Sequence, residues 1–391
     1  MYVGYKFRYY PSDEVMVIHT RDMDNDRFVY NMGKQWIEEH YKSTGKMLGR
    51  WDLQTRLPVL RQECPVLQAT PAQCLQQSLH KIHRSYQNFF RRIKLGLKPG
   101  YPKWKRMEDT QSITYRQLVI MVGPNHLKLP KLGIVEVVAH RPVAGIIKTA
   151  IIIKNRCNQW FICLQVDDGV QQPIQHPNGR VLGVDLGLKD LVVCSDGMRV
   201  PHPHFLKRKL DVLAKLQQQL SRKTKGSKSY EKARLAVASA YLKLSNARAD
   251  FMHKLSRILV DTNQVLVFET LDVQRMQQTR RLAQSISDAA WSMLVRFCKY
   301  KTARASKLMF MVEQEFPSSK LCSCCGRKNR DLRLEDRVWT CLCGAIHDRD
   351  LNASINLEQW GIKKIVLDYL VSCTLPENGV LNQMVGASQR I

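Results

Sequence analysis

The spacing of apolar residues changes several times along this chain, and each change predicts a different element. Residues 1–10 read as a strand. From roughly 25 to 95 apolar positions recur at helical spacing, through RFVYNMGKQWIEEHY and again through CLQQSLHKIHRSYQNFF, which predicts helices. KLGLKPGYPKWKR at 94–106 is a basic loop punctuated by glycine and proline. Over 112–170 the pattern becomes strand-like. TAIIIK and QWFICLQV are short, β-branched and bounded by turn residues such as Asn155 and Asn158, so a small antiparallel β unit is expected.

VLGVDLGLKDLVVCSDGMRV at 181–200 reads as strand, turn, strand, with Ser195-Asp196-Gly197 as a second hairpin turn. Residues 203–262 predict two long helices broken near Lys225-Gly226-Ser227, and VLVFET at 265–270 a buried strand ending in a carboxylate. Residues 285–307 read as helical, KLMFMVEQ as a strand, and NASINLEQWG as a helix beginning just after Asp350. From about Ser372 the chain turns polar, as a loose tail would. With 391 residues the chain has room for two or three compact units. The order of elements fits an α/β nuclease core with a separate N-terminal domain.

Charge narrows the function. Lys and Arg number 61 against 34 Asp and Glu, a net charge of +27 with a pI near 9.8. Such an excess, spread over many elements, calls for a polyanionic partner. A membrane is a poor candidate, because no run of eighteen or more apolar residues occurs and MYVGYKFRYYPSDE lacks the apolar core of a signal peptide. A cytoplasmic protein that meets DNA or RNA is the economical expectation. Between Lys81 and Arg106 stand nine Lys or Arg and no acid, interleaved with Tyr86, Phe89, Phe90, Tyr101 and Trp104. That mixture suits phosphate contact and base stacking, although Phe89 and Phe90 fit equally the buried face of an amphipathic helix. Residues 203–262 carry fourteen Lys or Arg against four acids, a plausible rail for a duplex or a solvated charged face.

Three lone acids stand where apolar elements end. Asp185 lies between Gly183 and Gly187, Glu269 follows VLVF, and Asp350 sits just ahead of a predicted helix. A carboxylate in such a place is costly unless something positive neutralises it. Asp350 taken alone could simply start its helix. Taken together, the three suggest a site for Mg²⁺ or Mn²⁺, which prefer carboxylate oxygens and can drive phosphodiester hydrolysis.

Twelve cysteines are unevenly spread, with Cys322, Cys324, Cys325, Cys341 and Cys343 in one short segment. Cys322 and Cys325 form C-x-x-C before Gly326, and Cys341 and Cys343 form C-x-C before Gly344. Two thiol pairs on glycine-tightened turns suit a closed, structural zinc site. Cys324 is adjacent, the second pair is one residue short, and His347 could substitute as a ligand, though a place beside the acidic residues is preferred for it. The scattered cysteines, such as Cys163 and Cys194, read as inert buried thiols.

GVDLGLKDLVVCSDG, VLVFETLDVQRM, PSSKLCSCCG and VWTCLCGAIHDRDLNASINL together resemble the TnpB family, the transposon-encoded OrfB proteins related to type V CRISPR effectors. RFVYNMGKQW, YPKWK, LPKLG and the stretch from SRKTKGS through NARADFMHKLS are similar to further family segments, so the resemblance spans about residues 1–360. It implies an RNase H-like (RuvC) nuclease domain interrupted by a zinc ribbon. A wedge β-barrel with an inserted helical recognition domain would precede it over 1–180, with helices at about 25–95. The nuclease domain would run over 181–315, with a helical insert at 203–262, and resume over 348–371. The ribbon would occupy 316–347 and the tail 372–391.

By the same resemblance Asp185, Glu269 and Asp350 match the family's catalytic carboxylates, with Asp348 and Arg349 as neighbours. Cys322, Cys325, Cys341 and Cys343 match its zinc ligands, the C-x-C being the departure. The implied activity is RNA-guided cleavage of double-stranded DNA, with a guide RNA from the transposon end and a short motif beside the target. Three other readings compete: a guided DNA-binding repressor that does not cut, a recombinase or nuclease that needs no RNA, and a general nucleic-acid chaperone, which would explain the charge but not the acids or the ribbon.

Overall fold

The computed structural model describes residues 1–171, 179–333 and 335–374. The chain divides into two compact units, Met1–Gln171 with Arg234–Ser239, and Gln172–Ala233 with Ala240–Ile391.

The first unit opens with strand β1 (Tyr2–Tyr9), followed by helices α1 (Asp13–Thr44), α2 (Arg50–Glu63) and α3 (Ala72–Lys94). Six strands complete it: β2 (Gln111–Tyr115), β3 (Ile120–Gly123), β4 (His126–Leu129), β5 (Gly133–Val138), β6 (Ile146–Lys154) and β7 (Trp160–Asp167). All seven form one antiparallel sheet in the order β2-β6-β7-β1-β5-β4-β3. Alternation of side chains is clean on β7, where Trp160, Ile162, Leu164 and Val166 are buried, and they share a core with Phe7, Tyr9, Ile113 and Ile152. A second core binds the helices through Val29, Ile37, Leu75, Leu79 and Ile82.

Helix α1 starts at Asp13, some twelve residues earlier than its sequence period predicts. Ser12 caps it by accepting the Val15 amide at 3.4 Å, and Asp13 and Glu14 sit at the positive end of its dipole. The period is hidden because the first turns bury polar groups. His19 bonds Tyr9 Oη at 3.0 Å, Thr70 donates to Asp22 at 2.6 Å, and Ser78 donates to Asp26. These bonds across the fold offset the cost of burying polar groups, and a hydrophobicity pattern does not register them.

The second unit contains β8 (Val181–Leu186), β9 (Asp190–Cys194), β10 (Arg199–Pro201), α4 (Leu210–Ser221), α5 (Lys228–Thr262), β11 (Val265–Glu269), α6 (Val273–Met276), α7 (Arg280–Ala289), α8 (Trp291–Arg304), β12 (Leu308–Val312), β13 (Val338–Thr340), β14 (Ile346–Asp348) and α9 (Arg349–Thr374). Five strands form a mixed sheet in the order β10-β9-β8-β11-β12. The β8-β9-β10 run is antiparallel, with the expected turn at Gly197 (φ 89°), and β11 lies parallel to both β8 and β12. Leu182, Val184, Leu266 and Phe268 face a core shared with Met252, Leu259, Trp291 and Leu294. Val265 and Val267 point the other way, to Leu357 and Trp360 on α9.

The helical stretch expected over 285–307 is two helices, parted at Ala290 in the left-handed region (φ 50°). The break near Lys225-Gly226-Ser227 is where α4 ends and Ser227 caps α5. Helix α9 begins at Arg349 and runs to Thr374; the rest of the tail expected from Ser372 lies outside the described residues. No helix among the described residues is long and apolar enough to cross a membrane.

Candidate active site and metal centre

Strand parity and register bring two of the three acids together. Val181, Gly183 and Asp185 share one face of β8, and Val265, Val267 and Glu269 the same face of β11. Val265 pairs with Val181 and Phe268 with Val184, so the same register sets Glu269 beside Asp185. The Leu186 amide donates to Glu269 Oε1 at 3.1 Å, tying the two strand ends. This is the face that α9 covers, and α9 carries Asp350 in its first turn.

Asp350 does not start the helix. Asp348 does, accepting the Leu351 amide at 3.0 Å while Arg199 pairs with it at 2.8 Å. Burial works against the Asp348 charge, but the Leu351 amide and Arg199 outweigh it and hold its pKa below the usual value. Asp350 is therefore inside α9, not ahead of it, and free of capping duty. Arg337, from the strand side of the cysteine-rich segment, pairs with it, its guanidinium 3.4 Å from both carboxylate oxygens.

The electrostatics at Asp185 and Glu269 are those of a site short of positive charge. Burial raises the pKa of Asp185 well above the ordinary aspartate value, and the charges of Glu269 and Asp350 raise it further. Burial likewise lifts Glu269 to about 7, against the pull of the Leu186 amide and with a push from Asp350. Like charges so placed cannot all ionise without a cation. The donor set, three carboxylates and no nitrogen or sulfur, fits Mg²⁺ or Mn²⁺. The three are spaced more widely than the cysteines, which form a tight cluster among the described residues.

Cys322, Cys325, Cys341 and Cys343 offer four sulfurs within 4.8 Å of one another. Cys322 and Cys343 are 3.6 Å apart, as are Cys325 and Cys341. A tetrahedral ion with metal–sulfur bonds of about 2.3 Å needs sulfur–sulfur edges of about 3.8 Å, so the set fits zinc. The short C-x-C is absorbed in its turn. Gly326 donates to Cys322 O at 2.8 Å across four residues, whereas Gly344 donates to Cys341 O at 2.9 Å across three. Both glycines take left-handed φ values, 72° and 86°. The Ala345 amide, with the neighbouring thiols, lowers Cys343 to about 7, while against the Arg327 amide the bonds to Cys322, Cys343 and Cys341 raise Cys325 to about 12, so the thiols titrate as one set.

His347 stands with the cysteines and not, as the sequence favoured, with the acids. Its Nε2 is 3.0 Å from Cys322 Sγ and its ring lies 4.7 Å from Trp339. Strand alternation on β14 explains the error: His347 and Asp348 are adjacent and so point to opposite faces. A third cluster, His202, His204 and Asp288, was not anticipated. Asp288 there already accepts the Leu206 amide at 3.0 Å and pairs with Arg248 at 2.9 Å, which marks it as a structural anchor.

Sequence reading also missed the residues that join the two centres. Asn352 accepts the Ser323 amide at 2.9 Å and donates to Leu321 O at 2.6 Å. Asn356 donates to Ser318 O and Leu321 O, each at 2.8 Å. Their spacing of four residues puts both on one face of α9, a signal present in DLNASINL.

Residues 161–280 match the family model described as "Probable transposase" (OrfB of IS605 type), and residues 291–357 match "Cas12f1-like, TNB domain". A protein of Streptomyces pristinaespiralis named "Putative RNA-guided DNA endonuclease" is 33% identical over 92% of this chain and 89% of its own. The Escherichia coli K12 protein named "Putative RNA-guided DNA endonuclease InsQ" is 26% identical over 98% of both chains. Among solved structures, a Cas12f1-sgRNA-target DNA complex aligns over 92% of this chain and 99% of its own at 14% identity and a TM-score of 0.36. A CasPhi-2 (Cas12j) protein bound to crRNA aligns over 93% and 98% at 9% identity and a TM-score of 0.42. With a relative this similar over nearly its whole length, and with both family segments in order, the chain belongs to the transposon-associated TnpB (OrfB) family.

Proposed function

We propose that this protein is an RNA-guided DNA endonuclease of the cytoplasm, carrying a guide RNA from the transposon end and cutting double-stranded DNA at Asp185, Glu269 and Asp350. The support is the meeting of strand parity, register and helix start that turns three acids from distant sequence positions towards one face of one sheet. The 3-2-1-4-5 order of that sheet, counted in chain order, is read as the RNase H-like (RuvC) core. On this reading the antiparallel sheet of the first unit is the wedge barrel, and α1–α3 are its recognition insert.

Asp185, Glu269 and Asp350 would hold Mg²⁺ or Mn²⁺, and Cys322, Cys325, Cys341 and Cys343 a structural zinc. When bound, the divalent ions supply activation of the attacking water and charge relief at the leaving 3′-oxygen. The chain does the placing. The Leu186 amide fixes the rotamer of Glu269, Arg337 orients Asp350, and Arg199 with Asp348 pins the start of α9. The basic surface holds the phosphates, and guide pairing reads the sequence.

The test is expression beside the flanking DNA of the element, sequencing of the RNA that co-purifies, and cutting of a matched target with Mg²⁺. One dominant structured RNA, with cutting lost in Asp185→Ala, is the expected result. Cutting that survives removal of RNA would transfer the site to an RNA-independent nuclease, and guided binding without cutting would leave a repressor.

A further inference from the structure

The YPKWK loop between α3 and β2 is bolted to α1 by its own side chains. Lys105 donates its amide to Asn31 Oδ1 at 3.0 Å and its ammonium to Asp26 at 3.1 Å, while Asn31 returns a bond to Lys105 O at 3.2 Å. Tyr101 donates to Glu38 at 2.6 Å. Glu38 also accepts from Lys34, whose side chain is almost wholly buried. Backbone and side-chain ties at both ends fix the loop, so what it presents is presented rigidly.

It presents two aromatic rings. Trp104 is 48% exposed and Tyr101 53%, although large rings normally bury more of their surface. The Lys34 ammonium lies 4.5 Å from the Trp104 ring centroid and 5.1 Å from that of Tyr101. A buried cation is costly, and here it is kept against the rings by a single carboxylate. The rings border an open hollow of about 710 Å³ that is also lined by Lys103 and Arg106. Its two acids are already engaged: Glu38 as above, and Asp109 by the Arg106 amide at 3.1 Å and by Arg156 at 3.3 Å.

We infer that Trp104 is a stacking platform for one unpaired nucleobase of a single-stranded polynucleotide, whose phosphates meet Lys103 and Arg106. A base has the flat π face that an exposed indole over a cation lacks a partner for, and its backbone has the charge that Lys103 and Arg106 complement. An apolar peptide would match the ring and leave the cations unpaired. The inference rests on the proposed nucleic-acid function only for the polymer's identity: guide RNA and displaced DNA strand share this chemistry.

The test is fluorescence anisotropy of the full-length protein with labelled adenine oligonucleotides, as RNA, as DNA and as duplex DNA. Trp104→Ala should weaken single-strand binding about tenfold, Trp104→Phe should restore most of it, and duplex binding should hardly change. Lys103→Ala should instead reduce the salt dependence of binding. A loss confined to RNA assigns the platform to the guide, one confined to DNA assigns it to the displaced strand, and a loss in both leaves the shared base contact. Unchanged single-strand affinity in Trp104→Ala, with folding checked by circular dichroism, overturns the inference, as does an equal loss on duplex. Repeating the series in Asp350→Asn separates it from the catalytic reading, because stacking should persist whether or not that protein cuts.

Discussion

Gly183 on β8 lies so close to α9 that a Cβ on it would stand 1.9 Å from the carbonyl oxygen of Ser354 and 2.6 Å from the amide nitrogen of Glu358. The obstacle is helix backbone, which cannot turn aside as a side chain can. Gly183 therefore sets how closely α9 approaches the sheet, and with it the position of Asp350 relative to Asp185 two residues along the strand. Gly183→Ala should destabilise the protein by about 3 kcal/mol or more, read in urea unfolding. Gly361→Ala, whose Cβ would meet the Val267 side chain at 2.4 Å, should cost less because a methyl can shift. Equal costs would show that α9 rides freely over the strand.

Asp348 and Asp350 are two residues apart and should respond in opposite ways. Asp348 caps α9 and holds Arg199, so Asp348→Ala should lower stability by about 1 kcal/mol and reduce cutting far less than a change at Asp350 itself. Asp350→Asn removes one charge from a crowded acidic face and no cap. If Asp350 holds the metal as proposed, the variant should keep RNA and DNA binding intact and reduce cleavage at least about a thousandfold. Binding that fails together with cutting would make Asp350 structural.

Much of this site was legible in the sequence, for physical reasons that can be stated. Asp185 and Glu269 stood out because each ends an apolar strand, where an acid is costly. The cysteines stood out because paired thiols on glycine turns have few other uses. Asp350 was placed ahead of its helix but lies in its first turn, since the aspartate two residues earlier takes the cap. Arg337 was invisible, and the spacing of Asn352 and Asn356 marked a shared helix face without its partner, because which loop meets which helix face is not contained in spacing alone. The start of α1 was missed because its inward residues His19, Asp22 and Asp26 are polar and bonded across the fold.

Glu269 gives a pH test. Its folded pKa is about 7 against an ordinary value of 4.5, so between those values the folded state holds a proton that the unfolded state has released. Stability contributed by this group is present at low pH and falls as pH rises through that window. In EDTA, Glu269→Gln and the wild type should melt together near about pH 4, below the window, while at about pH 8 the variant should melt roughly 3 °C or more higher. Mg²⁺ should reverse the order at the higher pH, because only the carboxylate gains from the ion. Parallel melting curves at both pH values would mean that Glu269 is ionised and neutralised without a metal.

The cysteine centre should govern the acidic one through α9. Asn352 and Asn356 bond the turn that carries Cys322, and Arg337, near the start of β13, holds Asp350. Cys322→Ser should reduce bound zinc from about one ion per chain, measured by mass spectrometry of the metal, whereas Cys324→Ser should not. Once the turn loosens, Asn352 loses the partners that fix the first turns of α9, and Asp350 loses a fixed Arg337. Cutting should then fall even with excess Mg²⁺, while binding of RNA, which depends on dispersed Lys and Arg, should persist. A zinc-selective chelator should reproduce the effect in the wild type, and restored zinc should reverse it. Undiminished zinc in Cys322→Ser would reject that ligand, and full cutting by zinc-free protein would show that Asp350 is held in place by the sheet alone.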